Sequence, residues 1–416
     1  MPGGRSEATG ELPQDRQDNV RVRNMLINKK SPHGGDIYTN QVRLDFSANT
    51  NPAGTPEAVR EAVRSSADNC AAYPDPYCTE LRKRIAAAEG VPENAVLCGN
   101  GASELIYAFA YSLPAEKPAL IVSPAFSDYE TALCAAGVRA RHYILSEYSG
   151  FRVNYPPAGS DLSRYGAVFL CSPGNPSGVT ADVNVVRLLA GSGVRLFLDL
   201  TFLDLTNEPD KYDIPELISA YPRVTVLRAF TKSYAMAGLR LGYVLCGDES
   251  FLTEMSGKSQ CWNVSVPAQA AGIAALGCRK WLRDSVIKIS EERARLTEEL
   301  RKLGIRVFPG EANFLLIYSE TDLCGELLKR GILLRDCSDY IGLRKGFARI
   351  AVRTGEENDA LISALRDIVA HAAADDDLKE KNNGAIPASP SLPPRKTSCA
   401  PGETPPYIAF LKKSTR

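Results

Sequence analysis

The 416-residue chain has no surplus of charge of either sign, since 49 basic side chains stand against 49 acidic ones. A balanced chain offers no electrostatic footing for nucleic acid or an anionic membrane, so any anion it binds must be met by a local cluster. No stretch reaches the ~20 apolar residues that a membrane-spanning helix needs. The first thirty residues, MPGGRSEATGELPQDRQDNVRVRNMLINKK, contain no apolar core of a secretory signal. A soluble, cytoplasmic protein is expected. The eleven cysteines include no CxxC pair, and several lie in apolar runs such as VFLC and YVLC, where a thiol behaves as a small hydrophobe. This usage predicts a reducing compartment, with no disulfide framework and no metal site. Histidine is scarce, at three residues, and no repeat runs through the chain.

What is present is organised in blocks. The length suggests roughly two to three structural units. Residues 1–40 are polar and read as an arm; residues 373–416 are rich in proline and read as a disordered tail, with PYIAFL its one apolar stretch. Between them, short apolar runs (AVLC, PALIV, ARHYIL, AVFLC, VRLFLDL, RVTVLRAF, LGYVLC) alternate with amphipathic stretches such as ASELIYAFAYSL. Near-continuous apolar strands separated by helices predict an α/β fold, a mainly parallel sheet covered by helices on both faces. We place this large domain at 71–290. A smaller α+β domain is expected from 41–70 together with 291–372, after a long helical region that starts near residue 265.

The polar signals fall where strands are predicted to end, which is where ligands sit in such sheets. CGNGASE (98–104) passes from glycines into a helix start, where free N–H groups and the helix dipole can cradle a phosphate. CSPGNPSG (171–178) fixes the Asn175 amide in a turn able to hold a cis X–Pro bond. Asp199 closes the strand FLDL, a costly place for a carboxylate unless it meets a cation. Lys232 follows the strand VTVLRAF, with Arg240 eight positions on. Alone, such a lysine would be solvated. In this company the parts suit pyridoxal 5'-phosphate: Lys232 for the aldehyde, Asp199 for the pyridinium nitrogen, and Arg240 for the phosphate.

In its run of GNGASE, NPSG, DLTF, TK and GLRLG, the chain resembles the fold-type I aminotransferase superfamily over roughly residues 40–370. The resemblance implies that Gly101, Ala102, Ser103 and Thr231 belong to the cofactor-phosphate site. It implies that Phe126 stacks on the ring, that Phe202 of the DLTF motif joins the cofactor site, and that Asn175 bonds the ring hydroxyl. Tyr73 would reach the phosphate across a homodimer interface.

The cofactor does not choose the reaction; the bond held perpendicular to its ring does, and anchoring groups decide which bond that is. In ARIAVR, alternation puts Arg349 and Arg353 on one face, and Arg335 comes from a predicted neighbouring strand, so the small domain offers guanidinium forks for carboxylate and phosphate. Two subgroups with small phosphorylated substrates look similar: histidinol-phosphate aminotransferases and threonine-phosphate decarboxylases of cobalamin biosynthesis. SPHGGDIY and RLDFSANTNPAG are closer to the second. By that resemblance His33, Gly34, Asn49, Asn175, Arg335 and Arg349 contact the substrate. The implied reaction is decarboxylation of O-phospho-L-threonine, or a close analogue, to (R)-1-aminopropan-2-yl phosphate. Two positions depart from the pattern: Thr201 replaces a small apolar residue at the ring, and Ala229 replaces a hydroxyl residue. The alternatives are an aminotransferase of histidinol-phosphate type and a cofactor-binding regulator without catalysis.

Overall fold

The computed structural model describes residues 33–153 and 161–383; most of the polar arm and most of the proline-rich tail lie outside the described residues. The chain divides into a compact unit ending at Ala370 and a second beginning at His371. The first unit opens with a two-residue strand, β1 (Leu44–Asp45). Seven strands then build one sheet: β2 (Val96–Gly99), β3 (Ala119–Ser123), β4 (Ala140–Ile144), β5 (Ala167–Cys171), β6 (Arg195–Asp199), β7 (Val224–Ala229) and β8 (Gly242–Cys246).

Their spatial order is β2-β8-β7-β6-β5-β3-β4, with the stretch from β7 to β4 parallel throughout. Strands β3, β5, β7 and β8 are buried at every residue, the condition of a sheet covered on both faces. Strand β8, read in the sequence as one more of the same run, lies antiparallel to both its neighbours. Only residues 230–241 separate it from β7, and they hold no helix longer than four residues. A parallel return needs a full crossover, so the chain turns straight back. Phe109, on the helix Gly101–Tyr111, packs on Phe197 of β6 at 4.6 Å and edge-on to Phe169 of β5 at 5.4 Å, fixing that helix on the sheet.

The long helical region is split at Gly277 into Val266–Leu276 and Arg279–Lys302. It leads to β9 (Arg306–Val307), β10 (Phe314–Tyr318), β11 (Ile332–Leu333), β12 (Arg335–Asp336) and β13 (Phe347–Ala351). Strands β12-β13-β10-β9 form an antiparallel sheet, and β11 pairs in parallel with β1. A separate apolar cluster, with Phe46, Leu296, Leu315, Ile350 and Leu361 at its centre, packs under these strands. The last helix runs Gly355–Asn383, eleven residues into the expected tail, because the prolines begin only beyond it. Among the described residues no helix is long and apolar enough to cross a membrane.

Candidate active site

Strands β2, β5, β6 and β7 point the same way, so their carboxyl ends open on one edge of the sheet, where a cavity of about 280 Å³ lies. Strand β2 ends at Gly99, and the helix begins at Gly101. Gly101 has φ 80°, and a Cβ there would come within 2.5 Å of Arg240 Nη2. Glycine is therefore required twice over, for the left-handed backbone and for the approach of the guanidinium. Ala102 and Ser103, in the first helical turn, line the cavity beside Arg240. First-turn N–H groups, the helix dipole and a guanidinium together make an anion cradle. Thr231 and Ala229 complete that wall.

Strand β6 delivers Asp199 to the cavity floor, 6% exposed. The Tyr129 hydroxyl donates to its Oδ2 at 2.6 Å and the Thr201 N–H to its Oδ1 at 2.8 Å. Burial nevertheless pushes the carboxyl above its ordinary pKa. Both donors are neutral, so the buried carboxylate is complementary to a cation arriving through the cavity. Thr201 lines the same floor beside Asp199.

Lys232 follows β7 on a four-residue helical turn, Phe230–Ser233. The LDFSANTNPAG segment holds this turn. The Asn51 N–H donates to Lys232 O at 3.0 Å, its side chain to Ser233 O at 3.0 Å, and the Thr55 hydroxyl to Ala235 O at 2.8 Å. Burial, reinforced by the Arg349 and Arg240 charges, pulls the Lys232 ammonium down to about 8. A lysine so placed carries an appreciable neutral, nucleophilic fraction near pH 7 to 8. Phe202 lies across from it, with its ring centroid 5.9 Å from Nζ.

Asn175 sits in the turn after β5, with cis bonds at Ser172–Pro173 and Asn175–Pro176. Its Oδ1 accepts from Arg349 Nη1 at 2.5 Å and from the Tyr340 hydroxyl at 3.3 Å. The second Arg349 nitrogen donates to Ser47 O at 2.7 Å. Arg335 stands opposite Arg349 in the β12–β13 register, and both line the cavity. His33 closes the mouth. A Cβ on Gly34 would come within 2.2 Å of Ser47 O, and the Gly35 N–H donates to Ser47 Oγ at 2.7 Å, so the HGG glycines press the chain onto Ser47. The imidazole then lies 5.4 Å from the Phe126 ring, with Nε2 3.2 Å from Asp128 Oδ1. Asp128 Oδ2 in turn accepts from the Ser103 hydroxyl at 3.0 Å.

Three sequence candidates stand elsewhere. Strand β13 ends at Ala351, so the alternation that placed Arg353 beside Arg349 stops short of it; Arg353 pairs with Glu357 at 3.0 Å, away from the cavity. Asn49 is buried and is not among the lining residues, and both its polar side-chain atoms are unpartnered among the described residues. Tyr73 is 79% exposed and stacks on Trp262 at 4.6 Å, outside the cavity of its own chain. Sequence reading missed Tyr129, Asp128, Ser47 and Tyr340. Tyr129 lies three residues after Phe126 in a stretch with no motif of its own, and only the fold shows that its hydroxyl meets Asp199.

An anion cradle, a lysine with a lowered pKa and a buried carboxylate with only neutral partners, all on one cavity, fit pyridoxal 5'-phosphate, and the molecule is an enzyme of the pyridoxal-phosphate-dependent class. The chain belongs to the aminotransferase class I and II family, whose profile matches residues 41–365. It is 33% identical over 362 residues to the threonine-phosphate decarboxylase of Salmonella typhimurium, covering 83% of this chain and 99% of that one. The crystal structure of the histidinol-phosphate aminotransferase from Clostridium acetobutylicum superposes with a TM-score of 0.74 at 29% identity, covering 79% of this chain and 99% of the other. The histidinol-phosphate aminotransferase from Sinorhizobium meliloti, solved in complex with pyridoxal-5'-phosphate, shares the fold with a TM-score of 0.72 at 21% identity, over 80% of this chain and 92% of that one.

Proposed function

We propose that the chain decarboxylates O-phospho-L-threonine, or a close phosphorylated amino acid, to the amino-alcohol phosphate, (R)-1-aminopropan-2-yl phosphate for phosphothreonine, in cobalamin biosynthesis. The observation that carries this reading is the pair Arg335 and Arg349, set opposite one another on β12 and β13 and facing the cavity that holds Lys232, with His33 at its mouth. Two forks and an imidazole suit an amino acid with two anionic ends. The 33% identity with a threonine-phosphate decarboxylase over nearly its whole length supports the same reading.

Bound pyridoxal phosphate supplies an electron sink conjugated to the substrate Cα. The roles of the chain follow from its geometry. Arg240, Thr231 and the turn at Gly101–Ser103 would hold the cofactor phosphate, Asp199 would keep the ring nitrogen protonated, and Phe126 would cover the ring. Asn175, whose Oδ1 accepts from Arg349, would bond the ring hydroxyl with its amide. Arg349 and Arg335 would grip the anions and so fix which bond at Cα is presented for cleavage, with His33 and Gly34 at the mouth of the cavity. The buried Asn49 amide, unpartnered among the described residues, follows the lining residue Ala48 in the chain. When carbon dioxide departs, Lys232 Nζ supplies the proton that replaces it on Cα. The enzyme would act in the cytoplasm as a homodimer, with Tyr73 reaching the phosphate cradle of the neighbouring copy.

The test is carbon dioxide release from phosphothreonine, phosphoserine and histidinol phosphate with no 2-oxo acid present. Release from a phosphorylated amino acid supports the decarboxylase. The resemblance to the Clostridium acetobutylicum aminotransferase favours a second reading, in which histidinol phosphate converts the cofactor to its amine form without gas release.

A further inference from the structure

The two forks that face the substrate cavity are not equivalent. Arg349 donates only to neutral oxygens, Asn175 Oδ1 and Ser47 O. Arg335 is already held by an anion: its Nη2 lies 2.8 and 3.0 Å from the two carboxylate oxygens of Asp339, and its Nη1 donates to Asp336 O. The Arg335 side chain is 10% exposed and stacks over Tyr340 at 5.0 Å, whereas the Asp339 side chain is 43% exposed. The guanidinium is thus part of the wall, while its carboxylate partner stands where water can take it back.

We propose that Asp339 is a specificity-determining residue, an internal carboxylate that occupies the Arg335 fork and yields it only to a ligand of higher charge. An incoming carboxylate would exchange one single negative charge for another and gain little. A phosphate monoester brings roughly 1.5 to 2 negative charges and three acceptor oxygens, enough to displace the resident group. The displaced side chain has somewhere to go. A second cavity of about 40 Å³, bounded by Arg335, Asp339, Tyr340, Ser123 and His142, adjoins the first and is large enough to hold water around it. Arg349, whose fork has no acidic partner among the described residues, remains open to a single carboxylate. The inference rests on the reading that a phosphorylated amino acid binds at Arg335, and it names what excludes the corresponding dicarboxylic amino acids.

The experiment titrates the cofactor-loaded enzyme with L-phosphoserine and with L-glutamate and follows the visible absorbance of the cofactor, in wild type, Asp339→Asn and Asp339→Ala. Wild type is expected to prefer phosphoserine strongly. Both variants should bind glutamate about tenfold more tightly, with phosphoserine tightening less than about threefold, which shrinks the preference by about 0.7 to 1.4 kcal/mol. If both variants instead lose phosphoserine affinity and keep the preference, Asp339 merely positions Arg335 and the proposal is overturned. If wild-type enzyme binds glutamate as well as phosphoserine, the reading of the anion site itself fails and the proposal goes with it. Absorbance is read immediately after mixing, when the amino acid has exchanged with Lys232 but no bond at its Cα has broken, so a reaction other than decarboxylation leaves the test intact.

Discussion

In the cofactor-free protein Lys232 is expected to titrate near 8, far below its ordinary 10.5. That gap favours the neutral amine by on the order of 3 kcal/mol. At about pH 7.5 roughly a quarter of the molecules would then carry a free amine, against ~0.1% for an unperturbed lysine. Only the neutral form can attack an aldehyde. The rate at which cofactor-free enzyme captures added pyridoxal phosphate, followed by visible absorbance, should therefore rise with pH and level off just above 8. Burial is the first cause and the Arg349 charge the second. Arg349→Gln should accordingly move the inflection upward without abolishing capture, while Lys232→Ala abolishes it. The sign for stability follows from linkage. The unfolded chain binds more protons than the folded one between the two pKa values, so this lysine makes stability rise with pH from about 8 toward 10.5. At pH 7 the folded protein holds a buried ammonium, and Lys232→Met should stabilise the cofactor-free form by up to about 3 kcal/mol in urea melts. An inflection near 10, or a melting midpoint unmoved by Lys232→Met, would refute the reasoning.

Gly101→Ala meets both a left-handed φ and the Arg240 guanidinium at 2.5 Å, so cofactor affinity by equilibrium dialysis should fall at least about tenfold, or 1.4 kcal/mol. Tyr129→Phe removes a 2.6 Å hydrogen bond from the buried Asp199; the cost of about 1–3 kcal/mol should lower the melting temperature of the cofactor-free protein and loosen the cofactor. Arg349→Ala should raise KM and lower kcat together, as expected for a group that orients an anion for bond cleavage. Arg353→Ala is the contrast, since its guanidinium pairs with Glu357 away from the cavity, and kcat/KM should stay within about twofold of wild type.

That several of the candidate residues share one cavity was legible in the sequence because their signals are local. The glycine turn at 99–101, Asp199 two residues before Thr201 and Lys232 just past a buried strand each announce a strand end, and a parallel sheet brings such ends to one edge whatever the details of packing. The family resemblance likewise rests on short motifs whose spacing survives in the one-dimensional chain. What tertiary structure alone decided depends on where elements stop and what they meet. Period-two alternation linked Arg353 to Arg349, but β13 ends at Ala351 and the pattern has no meaning beyond it. Strand β8 reads like its neighbours, yet the short return from β7 forces it antiparallel. The pairing of Arg335 with Asp339, of Tyr129 with Asp199, and of the HGG segment with Ser47 joins residues by the close approach of surfaces. Composition and periodicity carry the identity of a strand end; the charge state of a fork and the partner of a buried carboxylate are properties of distance, which only the folded chain possesses.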